Sequence, residues 1–189
     1  MSLIDKMKER VMDIINPDVE YTQEDFNKEF SKANINTENY KLSVNFVNTS
    51  NNPNPEYATA GSSGFDLRAS LTDAITIPTG KRAIVPTGLF FQIPDNFEIT
   101  VRSRSGLAAK NGVVVLNSPG TIDADYRGEI KIILINLGDE PFTINNGDRI
   151  AQAVLSTVAS KNIINLNQVV SISSDTERGS DGFGSTGTK

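Results

Sequence analysis

Apolar residues along this chain change their spacing once, near residue 40. Before that point Leu3, Ile4, Met7, Val11, Ile14 and Ile15 recur at helical spacing, and Pro17 ends the run. Thr22-Gln-Glu-Asp25 reads as a capping box, with Phe26, Phe30 and Ala33 following on one face. Two short helices are therefore expected over residues 1–40. They read either as an appendage packed on a main domain or as a docking or oligomerisation element.

From Lys41 the helical period is gone. Leu42, Val44 and Phe46 alternate with polar residues, as a half-buried strand requires. Strand-like runs follow at 82–85, 89–93, 97–102, 112–116, 130–137, 141–144 and 149–158. Gly, Pro and Asn punctuate them, and Asn111-Gly112 and Asn146-Gly147 are strong turn signals. Many short strands with regular turns predict an all-β barrel or jelly roll over residues 41–172. After Val170 the pattern dissolves into Ser, Asp, Thr and Gly, so residues 173–189 are expected to form a flexible Gly-rich segment.

Composition narrows the chemistry. The 189 residues contain no Cys, which removes disulfides, thiolate nucleophiles and Cys-type zinc sites. They contain no His, which removes His-dependent triads and most catalytic zinc sites. Any reaction must run on carboxylates, Arg, Lys, Tyr, hydroxyls and a hard metal such as Mg²⁺. A net charge of −5 opposes broad binding to nucleic acid, although a polyanionic small ligand could still meet a local Arg cluster. No apolar run approaches the roughly 18 residues of a membrane span. Asp5, Glu9 and Asp13 oppose a targeting peptide, so a cytoplasmic address is the default.

Five segments could carry function. Arg102-Ser-Arg-Ser-Gly-Leu-Ala108 offers guanidinium forks, hydroxyls and a glycine after a strand, a set suited to phosphate oxygens. Asn117-Ser-Pro-Gly-Thr-Ile-Asp-Ala-Asp-Tyr-Arg-Gly-Glu129 places two carboxylates and a Tyr in a turn; Leu134 stands where a calcium-binding EF-hand needs Glu. Gly147-Asp-Arg-Ile-Ala-Gln152 opens a strand, and Ala60-Gly-Ser-Ser-Gly-Phe-Asp-Leu-Arg-Ala69 leads a Gly-rich loop into one. Each of these is weak alone. Arg178-Gly-Ser-Asp-Gly-Phe-Gly-Ser-Thr-Gly-Thr-Lys189 contains G-x-G-x-x-G, but that fingerprint needs a helix after its last glycine, and only two residues follow Gly187.

Together and in this order, the five segments resemble the five motifs of the homotrimeric deoxyuridine triphosphatases, the dUTPases. Residues 60–69 resemble the first motif, 104–108 the second, 120–128 the third, 147–152 the fourth and 178–187 the fifth. The second motif usually has Pro before its Arg; here Ser103 stands there. The resemblance implies a distorted jelly-roll β domain, three subunits with shared active sites, and hydrolysis of dUTP to dUMP and pyrophosphate with Mg²⁺. It implies Asp123 as the general base for water attacking the α-phosphorus, and Asp66 as holder of a water on the metal. Arg104, Ser105 and Gly106 would clamp phosphates, assisted by Gln152. Asn117, with backbone groups near Thr121 and Ile122, would read the uracil, Tyr126 would pack on the deoxyribose, and Lys131 is a weaker contact. In the fifth motif Arg178 would meet the γ-phosphate and Phe183 would stack on uracil. Gly184, Ser185 and Thr186 would donate to the γ-phosphate.

Two alternatives accompany this reading. A dCTP deaminase has a related fold, but its family places a catalytic Glu where this chain has Ile133, and Arg-Ser-Ser where this chain has Arg104-Ser-Gly. A dUTPase-like regulatory binding protein is the other.

Overall fold

A computed structural model describes residues 42–160 and 164–180. The chain divides into two units, residues 1–43 and 44–189. The two helices expected over residues 1–40 lie outside the described residues.

The second unit is built from short antiparallel strands, as the two-residue period predicts. They are β1 (Asn45–Asn48), β2 (Phe65–Arg68), β3 (Ile75–Ile77), β4 (Arg82–Pro86), β5 (Leu89–Gln92), β6 (Phe97–Arg102), β7 (Val113–Val115), β8 (Gly120–Ile122), β9 (Lys131–Asn136), β10 (Phe142–Ile144) and β11 (Arg149–Thr157). A four-stranded sheet runs β2-β11-β6-β8 and a three-stranded sheet β4-β9-β7. Two ribbons, β1-β5 and β10-β3, complete the domain.

The core gathers from alternate positions of these strands. Leu67, Ile77, Val85, Ile99, Ile132, Leu134 and Ile150 are almost completely removed from solvent. Burying each such side chain contributes about 1.5–3 kcal/mol. Phe46, Phe65 and Phe91 stack in series, with ring centroids 5.8 and 5.9 Å apart, and so join β1 and β2 to β5. Asn136 is, with Thr87 and Thr100, one of the buried polar residues, and its hydrogen bonds are made. Its Nδ2 donates to the carbonyls of Ile77 and Glu140, and its Oδ1 accepts from the Gly138 amide.

Two elements depart from expectation. The strand anticipated at Leu42 begins at Asn45, leaving Leu42 exposed. The Asn111-Gly112 turn is the end of a helix, α1 (Ser105–Asn111), and not a hairpin tip. Gly112 has φ +67°, a conformation that glycine adopts without penalty, and its amide donates to the Ala108 carbonyl to close the last turn.

Candidate active site

The candidate residues fall into two groups, one at each end of a strand pair. The first group centres on Asp66. On β2, Asp66 lies opposite Gln152 of β11, and Arg68 lies opposite Arg149. Gln152 and Arg149 are three residues apart and would face opposite sides of a regular strand. The register shifts by one residue between Arg149 and Ala151. That bulge turns Arg149 onto the face of Asp66, re-aiming a side chain as bulges commonly do. Arg149 Nη1 then donates to Asp66 Oδ2 at 3.2 Å.

Arg104 closes the group from the end of β6. Its Nε lies 2.9 Å from Asp66 Oδ1, and its Nη1 donates to the Arg149 carbonyl at 2.9 Å. Ser103 accepts through its side chain. Its Oγ takes the Val115 amide at 2.9 Å, tying the end of β6 to β7. Its carbonyl accepts from Gln152 Nε2 at 2.9 Å. Arg104 is the N-cap of α1, so the amides of residues 105–107 have no acceptor within the helix. Nothing lies within 4 Å of where a Cβ on Gly106 would stand, which leaves open space at that turn.

The second group surrounds β8. Asn117 lies in the β7–β8 connection, with its Nδ2 3.4 Å from where a Gly120 Cβ would stand. Thr121 is exposed and Ile122 is partly packed on the core. Asp123 is exposed at a turn that the Tyr126 amide closes onto its carbonyl at 3.1 Å. Arg127 folds back on the same turn, donating to the carbonyls of Ala124 and Tyr126. The Tyr126 hydroxyl donates to the Glu129 carbonyl at 3.0 Å, and Lys131 Nζ lies 3.5 Å from Glu129 Oε2.

These groups do not meet within one chain. β6 and β8 pair antiparallel, with Val101 opposite Gly120 and Ile99 opposite Ile122. Ile122 is therefore three residues, about 10 Å of strand, from the level of Arg102. Asp123 lies beyond Ile122 in one direction and Arg104 beyond Arg102 in the other. Of the fifth motif, Arg178 is in an exposed turn in which the Gly179 amide donates to Thr176. Phe183, Gly184, Ser185 and Thr186 lie outside the described residues.

The dUTPase family model matches residues 50–187. The chain belongs to the dUTPase family. It is 50% identical over 156 residues to a deoxyuridine 5'-triphosphate nucleotidohydrolase of Cytophaga hutchinsonii, covering 82% of this chain and 99% of that one. It is 56% identical over 133 residues to the enzyme of the same name from Bdellovibrio bacteriovorus, covering 70% and 87%. Among solved structures, the Staphylococcus bacteriophage 80alpha dUTPase with dUPNHPP superposes with a TM-score of 0.67 at 25% identity. It covers 78% of this chain and all of that one. The expected all-β, jelly-roll-type fold agrees with this neighbour.

Within the dUTPase frame, sequence reasoning missed three residues. Arg149 stood inside the fourth motif, but its partnership with Asp66 depends on the bulge. Ser103 was noted only as a departure from the family. Glu129, one residue past the third motif, had no role.

Proposed function

We propose that this dUTPase-family chain hydrolyses dUTP to dUMP and pyrophosphate, clearing dUTP from the nucleotide pool and supplying dUMP for dTMP synthesis in the cytoplasm. The observation that carries the reading is the division of labour just described. A cluster of guanidiniums around Asp66 suits a triphosphate, and a separate turn after β8 carries Asp123 and Tyr126.

Asp123 is the general base. Its carboxylate can orient and deprotonate a water for in-line attack at the α-phosphorus. Arg104, with Ser105 and Gly106, neutralises and holds the phosphates as charge moves toward the pyrophosphate. Gln152 acts through Ser103, whose carbonyl it holds. Asn117 and the backbone of Thr121 and Ile122 satisfy the uracil edge. A base with a different donor pattern leaves these groups unpaired, which discriminates by about 10⁴ in rate. Tyr126 packs on the deoxyribose where a 2′-hydroxyl would stand, and Lys131, at the start of β9, is a weaker contact. Arg178, Phe183, Gly184, Ser185 and Thr186 cover the bound nucleotide, Phe183 by stacking on the base.

The donor set fits an Mg²⁺ carried mainly by the nucleotide. Among the described residues no three acidic side chains converge as ligands. Both Asp66 oxygens already accept from guanidiniums, so Asp66 suits contact through a water and not direct ligation. When bound, the ion adds charge stabilisation to the departing pyrophosphate.

The active unit is a homotrimer. Its support is the separation of Asp123 from Arg104 in one chain, together with apolar surface that a monomer leaves exposed. On β4-β9-β7, Ile84 faces outward opposite Ile133, and Val114 lies opposite Ile135. Leu166, Val170 and Ile172 are almost fully exposed on the segment after β11. The neighbouring apolar side chains on the sheet face are the kind of surface that suits an interaction site.

Pyrophosphate release from dUTP with Mg²⁺, measured beside dCTP, UTP and dTTP, tests the function. Turnover confined to dUTP is expected. Deamination of dCTP, or binding of dUTP without turnover, would contradict the proposal.

A further inference from the structure

Gly128 is a glycine for a reason that lies outside its own backbone. Its φ is not in the left-handed region, so any residue could adopt its conformation. A Cβ there would instead stand 2.6 Å from Tyr126 Cζ, 3.0 Å from Cε2 and closer still to the hydroxyl oxygen. The Tyr126 ring therefore lies directly against the Gly128 main chain. Its hydroxyl is fixed on the next residue, donating to the Glu129 carbonyl at 3.0 Å.

Glu129 is itself anchored. Its Oε1 accepts the Gly88 amide at 2.9 Å, from the turn between β4 and β5. Gly88 has φ +69°, and a Cβ there would meet Ser50 at 2.9 Å, so this turn is closely determined. Two further bonds join the same places: Thr87 Oγ1 donates to the Ile130 carbonyl at 2.7 Å, and the Ile130 amide donates to the Leu89 carbonyl at 2.9 Å. The exposed Tyr126 ring thus stands on a platform tied to the barrel.

We propose that Gly128 and Glu129 are positioning residues for sugar discrimination: Gly128 sets how deeply the Tyr126 ring sits, and the Glu129–Gly88 bond fixes the platform beneath it. The inference rests on the reading of Tyr126 as the residue that meets the deoxyribose. A ring displaced by about 1 Å no longer closes the space for a 2′-hydroxyl, and misplacement on that scale can alter rates by up to 10²-fold.

The test compares kcat and KM for dUTP and UTP in the full chain, Gly128→Ala, Glu129→Ala, Glu129→Gln and the double variant Gly128→Ala with Tyr126→Phe. Melting temperature and trimer mass are followed in parallel. Gly128→Ala is expected to lower the dUTP-over-UTP preference roughly tenfold or more, chiefly through KM, with trimer mass unchanged. Adding Tyr126→Phe leaves Cζ 2.6 Å from the new methyl and removes the bond to the Glu129 carbonyl, so the double variant is expected to be no better than Gly128→Ala; restoration of the parental preference would overturn the inference. Glu129→Ala is expected to lower the preference, whereas Glu129→Gln, which keeps an oxygen for the Gly88 amide, retains it. Parental preference in both Gly128→Ala and Glu129→Ala would overturn the inference. If Gly128→Ala does not fold, the Glu129 pair decides. Failure of the parent chain to hydrolyse dUTP would instead contradict the proposed function, so the two failures are distinguishable.

Discussion

The two ends of the site are held in different ways. Around Asp66, side chains hold side chains: two guanidiniums share one carboxylate, and Gln152 braces the strand that delivers Arg104. Around Asp123, the main chain is what is held: the Tyr126 amide closes the turn, the Arg127 side chain caps its carbonyls, and the Tyr126 hydroxyl bonds the Glu129 carbonyl. The contrast follows what each end must recognise. A triphosphate needs charge that is fixed before it arrives, and Asp66 keeps two like-charged arginines together without neutralising them fully. A uracil and a deoxyribose need shape and directed main-chain groups, with space left open above them. In the proposed mechanism the catalytic carboxylate belongs to the second end and the phosphate clamp to the first, so neither end would be an active site without the other.

Substitutions at the two ends should differ in kind. The largest effect is expected at the nucleoside end: Asp123→Asn removes the general base and should lower kcat for pyrophosphate release by at least ~10² while dUTP still binds. Equal turnover would remove Asp123 from the chemistry. Truncation after Ser174 deletes Arg178 and the covering motif. Loss of base stacking alone is worth ~1–3 kcal/mol, roughly 5- to 150-fold in kcat/KM. A truncated chain with full activity would show that the segment takes no part.

At the phosphate end, Asp66→Asn should act through Arg104 and Arg149. A loss of roughly tenfold in kcat/KM is expected from misplaced guanidiniums. The stability change should be small, because these ion pairs are a quarter to a half exposed and such pairs contribute about 0–1 kcal/mol. A large fall in melting temperature with unchanged kinetics would make the cluster structural. Smallest in its effect on turnover, Ser103→Ala should cost about 1–3 kcal/mol in chemical denaturation, by orphaning the buried Val115 amide, and little activity.

What could be read in the sequence follows the same division. Strands β4, β5, β6, β7, β9, β10 and β11 were visible as strand-like apolar runs bounded by Gly, Pro and Asn. β3 and β8 have only three residues each, too few to show a period. The α1 helix buries none of its seven residues, so no apolar stripe marked it, and its Gly112 cap resembled a hairpin turn. Motif residues were legible because the chemistry needs particular side chains at short spacing. The Arg149–Asp66 pair was not, because the bulge at Ile150 has no glycine to announce it. Nor was the separation of Asp123 from Arg104, which depends on the register between β6 and β8.

That separation carries the account's central claim, that each active site is shared between subunits. Mixing two inactive chains, Asp123→Asn and Arg104→Gln, tests it most directly. After co-refolding, every mixed trimer contains one site in which an intact Asp123 meets an intact Arg104 from its neighbour. Turnover should then recover to as much as about a quarter of the parent's, given random mixing in a threefold ring. No recovery at any mixing ratio, with mixed trimers demonstrated by native mass spectrometry, would contradict a shared site.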